Sequence, residues 1–253
     1  MRGFPTIIVL GADGVELDRQ VGFGGDAEEF VTTIKDWAQN QNTLFASMQE
    51  WEKDTTNVEW NYKIAMRYSN RYQNDLALRF FKNILDLDPK DKAGYKHIAQ
   101  FNVALQYARN SGDPSNLEAH LESETDEDRI QTGYFSLARI YEGKEDVPNA
   151  LRVYKAAFEK MPSNTNLMNA CAWFIYEQKA SEHYAWGIEV AQKAVALEPG
   201  SASIWDTLAW LLHSDGQYQK AVDAMATCVK LEPDGEYFSQ TLAQMKSDLE
   251  KNS

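Results

Sequence analysis

The stretch ASIWDTLAWLLHSDGQYQKAVDAMATCVKLEP, from Ala202 to Pro233, decides how this chain folds. Apolar residues recur at helical spacing on both sides of Gly216, so the sequence predicts two helices joined by a short turn. Pro233 ends the second helix, because proline lacks the backbone N–H that a helix interior needs. The stretch is therefore predicted to be one helical hairpin.

The same ending recurs upstream and reveals an internal repeat. Pro199 lies 34 residues before Pro233, Pro162 lies 37 before Pro199, and Pro89 lies 73 before Pro162, which is close to two periods. A helix-like run precedes each of these prolines, and such a period is typical of solenoid proteins. The repeat predicts five helical hairpins and a capping helix, at 58–91, 92–130, 131–164, 165–201, 202–235 and 236–251.

The residue pattern of 202–235 resembles a tetratricopeptide repeat. Large, small and helix-ending residues stand where that family places them, at Trp205, Leu208, Ala209, Leu212, Gly216, Tyr218, Ala221, Met225, Cys228, Leu231 and Pro233. Units 58–91 and 131–164 match similarly, 165–201 needs three extra residues in its turn, and 92–130 fits only in its first helix. The resemblance implies a mostly α fold, a right-handed solenoid of helical hairpins with a concave groove.

Residues 3–37 have a different organisation. The segment Gly3-Phe-Pro-Thr6 precedes the apolar run Ile7–Leu10, and a turn leads to a second strand-like run, Val15–Val21. A helix follows, with Asp26 in its capping position and apolar residues on one face. The predicted order is strand, turn, strand and helix.

Residues 1–40 resemble the second half of a thioredoxin-like domain, in which such a segment carries the cis-proline loop. By that resemblance Phe4, Pro5 and Thr6 form the loop, and Pro5 is the cis-proline. The dithiol helix of the family would precede this loop, and the chain contains no Cys-x-x-Cys pair. The expected fold class is a tetratricopeptide-type α-solenoid (residues 58–253), preceded by a partial thioredoxin-like β-hairpin plus helix and a linking helix over 41–57.

The run Ile7–Leu10 is apolar without alternation, which predicts a strand buried on both faces. Two strands and one helix cannot cover both faces, and a lone hairpin is marginal in water. We expect residues 1–40 to be ordered by docking onto the first repeats, through Trp51 and Trp60. Pairing with a second copy of the chain is the alternative, so the protein is predicted to be a monomer, or a dimer formed through this segment.

Charge and composition limit the classes of partner. A net charge of −13 repels nucleic acid and anionic lipid, so neither is an expected partner. The longest apolar run is too short to span a bilayer, and residues 1–25 lack a signal-peptide pattern. The sequence as written predicts a cytoplasmic protein, whereas a longer parent with a signal peptide would be periplasmic or secreted.

Neither catalysis nor a cofactor is predicted. Cys171 and Cys228 lie 57 residues apart, at repeat positions that favour small apolar side chains, so packing is their expected role. The segment 86–91 lacks the glycine of a calcium loop. The four histidines are not spaced for chelation on one helix, so no metal site is expected. The acidic run 113–128 is interpreted as a solvated linker, with docking of a basic partner as the alternative.

By the tetratricopeptide resemblance, fixed positions of the first helices line the groove. They are Phe135, Arg139, Asn169, Trp173, Tyr176, Asp206, Trp210 and His213. Trp and Tyr beside Arg, Asn and Asp are typical of peptide-anchoring surfaces. The alternative is that Trp173 and Trp210 fill space between adjacent helices. Trp205 is expected to pack between the two helices of its hairpin.

The sequence therefore predicts a non-catalytic scaffold that binds a protein or peptide in this groove. An alternative is the C-terminal part of a thiol-disulfide oxidoreductase, whose dithiol half lies upstream and whose repeats select substrates. A third interpretation is a structural spacer in an assembly.

Overall fold

The structure is a computed structural model that describes residues 5–22 and 26–252. The described residues form two antiparallel strands and 13 α-helices, and the chain divides into two compact units, residues 1–120 and 121–253. Within the described residues, no helix has both the length and the apolar composition needed to cross a membrane. Phe4, which belongs to the predicted cis-proline loop, lies outside the described residues.

The predicted order of elements at the front of the chain is confirmed. The elements are β1 (Thr6–Leu10), β2 (Glu16–Val21), α1 (Ala27–Ala38), α2 (Leu44–Lys53), α3 (Val58–Asn70), α4 (Asn74–Leu87) and α5 (Lys96–Ser111). Side-chain caps fix the helix starts, because they satisfy backbone N–H groups that the first turn leaves free. Asp26 accepts hydrogen bonds from the N–H groups of Glu28 and Glu29, and Thr43 and Asn57 cap α2 and α3 in the same way.

β1 is partly exposed, so the prediction that it is buried on both faces is wrong. It pairs antiparallel with β2, with a register shift between Val9 and Leu10. Ile8 and Leu10 expose 48% and 57% of their surface, whereas Ile7 and Val9 are less exposed. A strand buried on both faces needs a layer on each side of its sheet, and no such layer covers the side chains of Ile8 and Leu10 among the described residues.

A buried ionic cluster holds residues 5–22, the front segment, against the first repeat. Asp18 on β2 is 1% exposed. Its carboxylate accepts hydrogen bonds from the guanidinium groups of Arg67 and Arg71, at the end of α3, and from the N–H of Leu44 at 2.8 Å. Arg71 also contacts Glu16, with 3.1 Å between Nη1 and Oε1. The structure therefore confirms docking onto the chain's own repeats, whereas pairing with a second copy stays a prediction.

The structure places Trp51 and Trp60, which were expected to make this contact, elsewhere. Trp51 packs edge-on against Phe80, with ring centroids 5.4 Å apart, in the core formed by α2, α3 and α4. Trp60 lies under the ammonium group of Lys63, 4.4 Å from its ring centroid. The contact between β2 and the end of α3 is thus ionic rather than aromatic, and the apolar periodicity of the sequence does not indicate it.

Helical hairpins continue through the rest of the chain. Their helices are α6 (Ser115–Ser123), α7 (Glu127–Glu142), α8 (Val147–Lys160), α9 (Thr165–Glu177), α10 (Tyr184–Leu197), α11 (Ala202–Ser214), α12 (Tyr218–Leu231) and α13 (Glu236–Asn252). The three extra residues predicted in unit 165–201 form a 3₁₀ turn at Ser181–His183. Asn164 caps α9, and Pro199 and Pro233 lie just beyond the ends of α10 and α12.

The acidic run 113–128 is not wholly a solvated linker, which corrects that interpretation. Helix α6 forms inside it, and Leu117 and Leu121 are 0% and 1% exposed. Glu124 is 2% exposed and accepts a hydrogen bond from Nε of Arg129 at 2.8 Å. Burial raises the pKa of Glu124, but hydrogen bonds from Arg129 and from two backbone N–H groups outweigh it and hold the pKa well below its usual range.

Small residues let adjacent helices of the second unit pack closely. A Cβ atom added at Gly187 on α10 would lie 3.3 Å from side-chain atoms of both Ile175 on α9 and Leu211 on α11. Ala172 and Ala209 on those two helices are fully buried. Because α10 contacts α9 and α11, these first helices of successive hairpins also come into contact with each other.

Both cysteines pack inside the hairpins of the second unit, as the sequence predicted. Cys171 and Cys228 are free thiols with no exposed surface. Burial raises the pKa of Cys171 and raises that of Cys228 to about 12. A thiol of this kind behaves as a small apolar side chain.

We expect Asp18→Asn to lower the stability of the first unit by about 3–5 kcal/mol, because it leaves the buried guanidinium group of Arg71 and the partly exposed one of Arg67 short of a counter-charge. Chemical denaturation measures this loss, and limited proteolysis with mass measurement shows whether residues 1–40 become cleavable. Asp75→Asn, which removes an exposed carboxylate from α4, is the control and should change neither result. Equal protease resistance of Asp18→Asn and the unaltered protein would show that the cluster does not hold the segment.

We also expect Cys171 and Cys228 to resist a thiol reagent until the protein unfolds, because the reactive species is the exposed thiolate. Mass spectrometry after labelling, with and without denaturant, measures this. Ser163→Cys places a thiol in the exposed turn after α8 and should react at once. Native labelling of the two cysteines at the rate of that control would contradict their burial.

Candidate functional site

Three helices bring aromatic side chains together in the second unit. On α9 the ring centroids of Trp173 and Tyr176 lie 5.0 Å apart, and Tyr176 lies 5.6 Å from Trp210 on α11. The indole Nε1 of Trp210 donates a hydrogen bond to the hydroxyl of Tyr237 on α13, at 3.0 Å. We call these four residues the aromatic wall. Each is partly or largely exposed, so the wall has surface available for contact.

Asp206 lies on α11 beside this wall. The hydroxyl of Tyr237 is 3.4 and 3.5 Å from the two carboxylate oxygens of Asp206. Burial raises the pKa of Asp206 to about 6, and the hydrogen bonds from Tyr237 and Trp210 offset only part of that effect. The carboxylate is therefore ionised at neutral pH in a site that disfavours its charge.

His213 extends the site along α11. Its ring lies 5.9 Å from that of Trp210 and 5.2 Å from that of Tyr218. Its Nε2 is 3.3 Å from Oδ2 of Asp248 on α13. Hydrogen bonds from Gln244 and Lys251 keep the pKa of Asp248 below its usual range.

Asn169 on α9 contributes an unused hydrogen-bond acceptor. Its Oδ1 is buried and has no hydrogen-bond partner among the described residues. Buried polar atoms are nearly always paired, with protein, water or ligand. The Oδ1 of Asn169 is therefore an exception among the buried polar atoms of the described residues.

The structure brings together six of the eight groove residues that the sequence indicated. Asn169, Trp173 and Tyr176 lie on α9, and Asp206, Trp210 and His213 lie on α11. The two helices contact each other. Phe135 and Arg139 lie one hairpin earlier, on α7. Phe135 is partly buried and Arg139 is exposed, and the ring contacts described above begin only at Trp173. Their place in a groove stays a prediction.

Tyr237 and Asp248 belong to the site and were missed, because α13 was interpreted only as a cap. Unit 202–235 starts 34 residues before Glu236, so α13 continues the repeat in phase. Tyr237 is then the second residue of the next unit and Asp248 the thirteenth, and both are groove positions in the family pattern. Continuing the repeat count into the cap would have identified them.

The expectation that Trp205 packs between the helices of its hairpin is wrong. Trp205 is only partly buried, and its Nε1 donates a hydrogen bond to the carbonyl of Pro199 at 3.0 Å. The indole thus closes the turn that precedes α11. Its truncation should cost less than the ~3–5 kcal/mol of a core aromatic.

Two histidines without an assigned role meet in the first unit. The rings of His97 on α5 and His120 on α6 have centroids 4.5 Å apart. His120 also lies 5.6 Å from the ring of Phe101. Spacing along a single helix could not show this pairing, because the two histidines are on different helices.

Comparisons with known proteins agree with this architecture. Residues 190–223 match the family model described as tetratricopeptide repeat. YrrB, a TPR protein described as having an unusual peptide-binding site, has 14% sequence identity and a TM-score of 0.56, and the match covers 78% of this chain and 98% of YrrB. MamA has 15% identity and a TM-score of 0.53, over 70% of this chain and 92% of MamA. No curated protein sequence matches the chain.

The fold is therefore a tetratricopeptide-type α-solenoid preceded by a small two-stranded sheet. A match to the tetratricopeptide model across the junction of two hairpins agrees with the repeat deduced from the prolines. The comparisons give no support to the thioredoxin-like resemblance of residues 1–40.

We expect Asp206→Asn to stabilise the protein at neutral pH. The folded-state pKa of about 6 exceeds the usual 3.8, so between these values the folded protein holds a proton that the unfolded chain has released. Stability from this group is then complete below pH 3.8 and is lost as the pH rises through 6. The unaltered protein and Asp206→Asn should have the same melting temperature in acid. As the pH rises past 6, the melting temperature of Asp206→Asn should become the higher of the two. A constant difference at every pH would show that Asp206 is not the titrating group.

Proposed function

We propose that this protein is a non-catalytic binding module that holds a peptide segment of a partner protein against the aromatic wall. The observation that carries the proposal is the row of partly exposed rings, Trp173, Tyr176 and Trp210, in successive contact at 5.0 and 5.6 Å. Aromatic side chains supply large contact areas, and Trp and Tyr dominate the energetics of many protein interfaces.

The wall is held in place before any ligand binds. Trp210 is fixed by its hydrogen bond to Tyr237, and Tyr237 in turn lies against Asp206. Side chains that are already ordered lose little conformational entropy on binding, so more of the contact energy contributes to affinity.

The similar fold of YrrB gives independent support, since that protein is described as having a peptide-binding site. At 14% identity the likeness concerns the fold, so the wall residues of the present chain must carry the proposal. The burial of both thiols also favours binding over thiol chemistry.

Selection from a phage-displayed library of random linear peptides, with the full chain as bait, tests the proposal. We expect peptides to be recovered, and Trp173→Ala and Trp210→Ala each to weaken their binding about tenfold or more, as hot-spot residues do. Isothermal titration calorimetry of the synthesised peptides measures the affinities.

Trp205→Ala is the matched control, because Trp205 is on the same helix as Trp210 and outside the wall. It should leave peptide affinity within about threefold, since interface energy is concentrated in few residues. Failure to recover any peptide, or equal binding by Trp173→Ala, Trp210→Ala and the unaltered chain, would refute the proposal.

A further inference from the structure

Among the residues that the structure describes, the carboxylate of Asp206 has no cationic partner. The hydroxyl of Tyr237, which donates to it, and the neighbouring indole of Trp210 are both neutral. In the described part of the chain, no lysine, arginine or histidine side chain pairs with it. The nearby His213 is directed instead to Asp248, at 3.3 Å. A partly buried carboxylate held by neutral groups gains more from an arriving cation than one already paired within the protein.

The other charged groups near the wall do not supply that cation. Glu177, exposed at the end of α9, adds a second negative charge. Asp248 is shared between His213 and Lys251, whose Nζ is 3.2 Å away. The predicted groove residue Arg139 lies on α7, one hairpin earlier.

The tryptophans of the wall also differ from other tryptophans of the chain. Lys63 lies over the ring of Trp60 at 4.4 Å, and Lys155 lies over Trp186 at 5.1 Å. Among the described residues, no cation lies over Trp173 or Trp210. Indole rings attract cations to their faces, so the wall leaves this interaction open.

On the basis of the proposed function, we propose that the peptide carries a lysine or arginine whose charged group lies against Asp206 and over the rings of Tyr176 and Trp210. The carboxylate and the ring faces attract the same cation, and both are at one place on the wall. The net charge of −13 adds a long-range field that draws a basic segment toward the protein.

The library selection described above provides the probes. We expect the recovered peptides to be enriched in lysine and arginine relative to the unselected library. The basic residue of a recovered peptide is then replaced by a neutral residue of similar shape, norleucine for lysine or citrulline for arginine. This replacement should weaken binding to the unaltered chain about tenfold or more.

Asp206→Asn should cause a similar loss with the basic peptide and little further loss with its neutral analogue, because the two changes remove one interaction. Asp223→Asn, which removes an exposed carboxylate from α12, is the control and should bind both peptides as the unaltered chain does. Thermal melting of Asp206→Asn shows that any loss of binding occurs in a folded protein.

The outcomes separate this inference from the proposed function. Recovered peptides that lack basic residues, but still depend on Trp173 and Trp210, would overturn the inference and leave peptide binding intact. Basic peptides that bind Asp206→Asn as tightly as the unaltered chain would also overturn it. Peptides that bind independently of both tryptophans would refute the proposed function itself.

Discussion

A pair of antiparallel helices cannot bury its apolar faces alone. This constraint determines how the hairpins of the second unit pack. Each hairpin must pack on the next, and Gly187 lets α10 lie against both α9 and α11. First helices of successive hairpins are thereby placed side by side, in the same register. Any side chain that recurs at the same repeat position then contributes to a continuous surface, which is why Trp173 and Trp210 lie in one row.

Beside the aromatic wall, the well-packed helix α11 carries one residue that does not serve packing. Asp206 occupies a position where burial disfavours its charge, while Thr207 and Leu208 beside it in sequence are buried without such a conflict. Proteins commonly retain destabilising residues where function requires them, because selection removes only variants below the stability needed to function. The partly buried carboxylate of Asp206 is therefore a stronger indication of a binding site than the aromatic rings alone, because aromatic rings also fill ordinary cores.

Local signals made the hairpins predictable. Pro199 and Pro233 mark helix ends by a chemical property of one residue, and the repeat then places the intervening helices. Contacts between residues far apart in sequence were not predictable in this way: nothing in the periodicity pairs Asp18 with Arg71, and the exposure of Ile8 depends on which layers cover the sheet. Tyr237 lay within reach of sequence reasoning, since it follows the repeat register, but its hydrogen bond to Trp210 depends on the packing of α13.

Asp18 pairs with arginines of its own chain, whereas Asp206 has no cationic partner among the described residues. The response of the Asp18 contacts to ionic strength follows from their burial. The side chains of Asp18 and Arg71 are almost fully buried, so dissolved ions screen this pair only weakly, whereas Arg67 is partly exposed. Residues 5–22 should therefore stay attached to α3 in concentrated salt, where an exposed ionic contact would loosen.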